Sequence, residues 1–154
     1  MTIKKFEFDI ITEESSKRGS LIALEEKINI PFELKRLFYI YDLNSFTSRG
    51  AHAHKISNQI LICIHGSCEV LLDNGKEQKS VLLNRPNHGL LQESMIWGEM
   101  YNFSDDCILM VLSDTYYDAN DYITDYNKFL ELCKVLSWKS SDTMSHYMMY
   151  GMNF

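Results

Sequence analysis

The sequence predicts one all-β domain, a small sandwich or barrel, ended by a short C-terminal helical segment. Three observations carry this. Short β-type runs recur from residue 34 onward at intervals of about eight to twelve residues. Asn74-Gly75 supplies a hairpin signal, because both residue types tolerate positive φ. Apolar residues take up helical spacing only after Asn120. A chain of 154 residues is enough for one well-buried core and short for two.

Taken in order, residues 4–10 alternate as a short strand and are followed by the polar stretch 12–18. Gly19 then leads into a second short run, 20–24. Residues 34–41 are aromatic and β-rich, and Asp42-Leu-Asn-Ser45 ends them with turn chemistry. Residues 59–65 are nearly all apolar and stop at Gly66. Residues 68–72 and 78–83 flank the Asn-Gly hairpin, and Asn84-Arg-Pro86 closes the return strand. Further strands are predicted over 90–92, 96–103 and 107–113. Tyr122, Tyr126, Phe129, Leu130, Cys133 and Leu136 then recur on one helical face, with Asn120 or Asp121 as N-cap. The Met- and Tyr-rich tail, 138–154, carries no motif. The division expected is a domain over 1–135 and an extension over 136–154.

Composition removes several function classes. The chain is 45% hydrophobic and 23% charged, which fits neither a disordered segment nor a membrane protein. No apolar run approaches the roughly 20 residues of a membrane span, and no apolar stretch follows the N-terminal lysines as a secretory signal requires. A cytoplasmic location is therefore expected. Fifteen Lys and Arg against 21 Asp and Glu give a formal charge of -6, which opposes non-specific nucleic-acid binding. An anionic small ligand is still allowed where a few arginines gather. Cys63, Cys68, Cys107 and Cys133 form no Cys-x-x-Cys pair, and each sits in an apolar run. They read as buried free thiols of a reduced compartment.

The most informative stretch is Arg49-Gly-Ala-His-Ala-His-Lys55. Histidines at i and i+2 of a strand share a face, and in a β-barrel that face is the interior or a ligand mouth. The alternative is one structurally bonded and one exposed histidine. After His54 come four residues and then Gln59, and after six more comes Gly66. This resembles the first signature of the cupin family, with Gln59 where a glutamate belongs. Pro86-Asn-His-Gly89 resembles the turn of the second signature, with Gln92 in place of its histidine. The resemblance implies a small cupin (jelly-roll) β-barrel. Amide oxygens are poor donors for a transition metal, so the site reads as metal-free and its imidazoles as proton carriers.

A closer resemblance runs from about residue 3 to 130. Its blocks include Arg18-Gly-Ser-Leu-Ile-Ala-Leu-Glu25, residues 30–42 and 49–55, Gly66-Ser-Cys-Glu-Val-Leu-Leu-Asp-Asn-Gly75, and residues 96–112 and 116–126. Together they are similar to the nucleotide-sugar 3,4-ketoisomerases, metal-independent cupins that act on dTDP-4-keto-6-deoxyglucose. Gly98 stands where relatives often carry histidine. The resemblance implies an isomerase without cofactor, with His54 as the base at C3 and His52 polarising the carbonyl or relaying a proton to C4. It also implies Arg18 on the diphosphate and Glu25 on the base edge. Arg49, three residues before His52, is close enough to hang over the same mouth and offers a diphosphate a bidentate fork, and Gln59 is taken as a further substrate contact. On the strand 34–41, Tyr39 and Tyr41 share one face and Arg36, Phe38 and Ile40 the other. The tyrosines are taken as the cavity-lining set, and Trp97 as a further contact that core packing would equally explain. Other readings are a sugar-nucleotide 3,5-epimerase, a non-catalytic sugar-nucleotide-binding cupin, and a metal-dependent oxygenase. A homodimer in deoxy-aminosugar synthesis for a surface polysaccharide is expected from the same resemblance.

Overall fold

The computed structural model describes residues 1–12 and 19–149, with side chains to residue 137. Residues 13–18, Arg18 among them, residues 150–154, and the tail's side chains from 138 lie outside the described residues. The strands are β1 (Lys5–Glu7), β2 (Ile11–Thr12), β3 (Ser20–Leu21), β4 (Arg36–Ile40), β5 (Arg49–His54) and β6 (Gln59–His65). Then come β7 (Cys68–Asp73), β8 (Gln78–Leu83), β9 (His88–Gln92), β10 (Trp97–Tyr101), β11 (Ile108–Ser113) and β12 (Tyr122–Ile123), followed by helix α1 (Tyr126–Met149).

Two five-stranded sheets, β1-β9-β6-β11-β4 and β12-β5-β10-β7-β8, pair antiparallel throughout, and β2 and β3 form a separate hairpin. Leu61, Leu90, Leu109 and Val111 of the first sheet meet Val70, Leu72, Leu83 and Met100 of the second. Among the described residues no ladder joins the two sheets, so the architecture is a two-sheet jelly roll. The unbroken apolar run of β6 has a physical reason: it is covered on both faces. Leu61 and Cys63 face the second sheet, while Ile60 and Ile62 pack under Phe8 and Ile30 from the N-terminal segment.

Two local expectations are corrected. The β7–β8 hairpin closes through a four-residue loop, in which Asn74 accepts from the amides of Lys76 and Glu77, each at 2.9 Å. Only Gly75 takes positive φ there, at 83°. The helix begins later than its apolar stripe suggests. Asp118 caps a single 3-10 turn (Ala119–Asp121), Tyr122 belongs to strand β12, and Asp125 is the N-cap of α1, accepting from the Lys128 amide at 3.0 Å. The helix packs on the outer face of the second sheet, where Phe129 meets Ala53, Trp97 and Ile123. It runs for 24 residues and is the C-terminal helical segment expected.

Candidate active site

Strand β5 positions the histidine pair, and an irregularity in it decides what lies beside them. Opposite β10 the register slips, with Gly98 facing His52, Glu99 facing Gly50, and Met100 facing Arg49. Ala51 is the extra residue. Gly50 and Ala51 take φ of 82° and 54°, the backbone of a bulge. A bulge shifts the alternation by one, so Arg49 and His52, three apart, share the face of Met100 and Gly98. On a regular strand they would point to opposite sides.

Arg49, His52, Gln59, Phe38, Ile40 and Tyr122 are among the residues that line a cavity of about 350 Å³, the size of a small-ligand pocket. His52 is half-buried on its wall, and His54 lies behind it at 1% exposure. Their Nε2 atoms are 3.2 Å apart. Nδ1 of His54 is 2.9 Å from Asp121 Oδ2, and a carboxylate there accepts its hydrogen. That fixes His54 Nε2 as the lone-pair nitrogen and makes His52 Nε2 the donor toward it. The Tyr122 ring packs on both imidazoles, with centroids at 4.8 Å and 4.6 Å.

Asp121 is itself held firmly. Its Oδ1 accepts from the Ile56 amide at 2.8 Å, and Ser57 Oγ donates to Oδ2 while receiving a bond from Thr115 Oγ1 at 2.5 Å. Burial raises its pKa, but the bonds from Ser57, Ile56 and His54 outweigh that and keep it below the ordinary aspartate value. Burial is also the main influence on both histidines and depresses them. For His54 the Asp121 bond opposes the shift, while the nearby charges of His52 and Arg36 add to it. Burial thus favours the neutral form of both imidazoles, the form a base requires.

The other residues expected at the site divide. Arg49 and Gln59 join His52 at the cavity. Tyr39 and Tyr41 do not face the histidines. Phe38 and Ile40 pair with Val111 and Leu109, which fixes their face as the inner one and turns the tyrosines outward at 61% and 59% exposure. They border a shallower groove, which Arg49 and Thr47 also line. Trp97 is a core residue under α1, with Nε1 donating to Glu99 Oε1 at 2.9 Å, because it alternates with cavity-side Gly98. Glu25 is exposed in a turn where its carbonyl accepts the amides of Ile28, Asn29 and Ile30, and it lines no part of the cavity.

Three site residues were missed in the sequence, and a fourth, Gln92, was read only as a departure from the second cupin signature. Asp121 and Tyr122 carried only a helix signal. Arg36, whose guanidinium lies over Phe38 and Tyr117 at 4.9 Å and 5.6 Å, sits on the strand face that was not chosen. Its Nε has no hydrogen-bond partner among the described residues. Gln92 fills the space above Gly98, where an added Cβ would come within 2.5 Å of its amide.

The family model described as FdtA: WxcM-like, C-terminal matches residues 2–134. The chain belongs to this family. It is 48% identical over 112 residues to the TDP-4-oxo-6-deoxy-alpha-D-glucose-3,4-oxoisomerase of Aneurinibacillus thermoaerophilus, a match covering 73% of this chain and 81% of the relative. Among solved structures, this FdtA/WxcM-like chain is similar to a 3,4-ketoisomerase from Helicobacter canadensis. The TM-score is 0.83 at 48% identity, covering 87% of this chain and 98% of that one. It is also similar to a variant of the 3,4-ketoisomerase QdtA from Thermoanaerobacterium thermosaccharolyticum in complex with TDP-4-keto-6-deoxyglucose. There the TM-score is 0.81 at 36% identity, with 86% and 94% of the two chains covered.

Proposed function

We propose that this FdtA/WxcM-like protein is a sugar-nucleotide 3,4-ketoisomerase converting dTDP-4-keto-6-deoxyglucose to a 3-keto-6-deoxyhexose. The relatives' activities support the reaction class, and one geometric observation carries it to these residues. Two imidazoles meet at 3.2 Å, His52 on the cavity wall and His54 directly behind it, the latter backed by a carboxylate. A 4-keto sugar has an acidic hydrogen at C3, next to the carbonyl. On binding, the sugar replaces the contact between the rings: His52 Nε2–H turns to the carbonyl oxygen at C4, and His54 Nε2 takes the C3 proton. The imidazolium formed lies against Asp121, and the enediol is spared a full negative charge. The proton on His54 is then delivered to C4, and the hydroxyl hydrogen at C3 restores His52. Electrons move only within the sugar.

Arg49 stands between the cavity and the groove bordered by Tyr39 and Tyr41. We assign it the diphosphate, through a bidentate guanidinium fork, and assign the groove to the nucleoside. Residues 1–135 are taken as the ketoisomerase domain, supported by a family match that ends at 134, and 136–154 as an extension. Among the described residues no helix is long and apolar enough to cross a membrane. We place the enzyme in the cytoplasm as a homodimer, in deoxy-aminosugar synthesis for a surface polysaccharide.

Incubation with dTDP-4-keto-6-deoxyglucose in D2O, followed by NMR, tests the reading. A 3-keto product is expected, with deuterium at C4 to the extent that the proton on His54 exchanges with solvent before its delivery. Deuterium at C5 alone would indicate epimerisation, and neither product nor incorporation a binding module; either would reject isomerisation. His54→Asn should lower turnover by roughly 10²–10⁴-fold and stop C3 exchange. His52→Asn should lose product formation while slow exchange at C3 persists. Exchange at C3 undiminished in the His54 variant would refute the assignment of the base. Arg49→Lys should raise KM by roughly tenfold with little change in stability, since charge remains and the fork is lost.

A further inference from the structure

Three of the four cysteines, far apart in sequence, converge at one place. Cys63 lies on β6, Cys68 opens β7 and Cys107 precedes β11, and their Sγ atoms all fall within 4.8 Å of one another. Cys63 and Cys107 are 3.6 Å apart. The three are 1%, 0% and 2% exposed, among Leu61, Val70, Phe103 and Leu109. Gln59, at the cavity, is four residues from Cys63 along β6, about 13 Å, so the cluster is separate from the histidine site.

The backbone fixes this arrangement. Ser104 N donates to the Ser67 carbonyl, and the Ser67 amide to Ser104 Oγ, both at 2.9 Å. Cys107 N donates to the Ser104 carbonyl at 3.0 Å. Gly66, at φ 70°, lies so close beneath this loop that a Cβ would come within 2.9 Å of Cys107 Cα. Two turns, each passing from one sheet to the other, are thereby stitched together, and the sulfurs are presented inward. Three sulfurs bonded to one centre at about 2.3 Å and near-tetrahedral angles lie about 3.8 Å apart, so little movement is needed for all three to bind.

Charge decides what would bind. Among the described residues no fourth imidazole, thiolate or carboxylate joins the group, and zinc in closed sites takes four ligands. A zinc tris-thiolate would also leave a net negative charge in an apolar core, and a copper(I) one would leave two. A disulfide would need an external two-electron acceptor and would leave the third sulfur unused. We propose that Cys63, Cys68 and Cys107 form a binding site for a trivalent thiophilic centre, of which arsenite is the simplest. Neutral As(OH)3 reacts with three thiols to give As(SR)3 and three waters. Each S–H proton leaves with one hydroxide, arsenic stays trivalent, and no charge is buried.

Native mass spectrometry of the folded full-length chain with sodium arsenite tests this. The expected species carries one arsenic and lacks three hydrogens. Cys133→Ser should give the same species, and Cys63→Ser, Cys68→Ser or Cys107→Ser should lose it. Because a core serine could unfold a variant, arsenic-edge X-ray absorption on the wild-type protein is the independent measurement, and three sulfur neighbours are expected. No retained arsenic, fewer than three sulfur neighbours, or an unchanged adduct in a folded Cys68→Ser protein would overturn the assignment.

Discussion

Asp121 illustrates how one carboxylate sets the behaviour of a residue 67 positions away. Its bond opposes the burial that depresses His54. Asp121→Asn should therefore lower kcat/KM by roughly 10²–10⁴-fold, by failing to stabilise the imidazolium. The same change should move the acid limb of the pH–rate profile to lower pH, because burial then acts on His54 unopposed. A pH–rate profile of the variant checks both; a limb that stays put or moves up would contradict the role. His52, His54, Arg49 and Gln59 were legible because one local motif carries all four. Asp121 was not, because an aspartate ahead of an apolar stripe is an ordinary N-cap signal. Only the folding of β12 against β5 shows that its carboxylate is used elsewhere. Which face of β4 lies inward was not legible, because alternation separates Tyr39 and Tyr41 from Phe38 and Ile40 without saying which pair faces the core.

Among the elements, β5 matters most, and its two faces have different demands. Gly50 at φ 82° would place a Cβ 2.7 Å from the Gly98 carbonyl. Gly50→Ala should cost about 1–3 kcal/mol in urea unfolding and raise KM as Arg49 is displaced. An unchanged midpoint would show that the bulge relaxes freely. On the other face Ala53, fully buried, lies under Phe129 of α1. Ala53→Leu should overpack that contact by about 1–3 kcal/mol, and faster amide exchange over 126–137 would report the loosened helix. The strands were readable from their apolar runs and turn residues. The start of α1 was not, since the stripe from Tyr122 to Leu136 crosses a strand, a turn and a helix without losing its spacing. The bulge was equally hidden: Gly50-Ala51 has no side-chain signature of two successive positive φ values.

The whole molecule couples the site's protonation to its stability. His52 and His54 have folded pKa values below 6.5, so through the window beneath that value the unfolded chain binds more protons and stability rises with pH. Asp121, depressed below 3.8, adds a second loss at lower pH, as its folded value is crossed. The melting temperature should therefore fall from about pH 7 to about pH 5, and calorimetry of the His52→Asn, His54→Asn double variant should show a shallower decline. A decline as steep as the wild type's would place its origin in other groups. The two-sheet architecture was visible in the spacing of runs; its register, and with it the inward set of side chains, came only from the pairing of distant strands. That distance also bears on synthesis. Both imidazoles leave the ribosome long before the carboxylate that orients them, so a nascent chain stopped short of β12 carries the motif without its charge partner. The protein gains its chemistry only once the segment around Asp121 has been made.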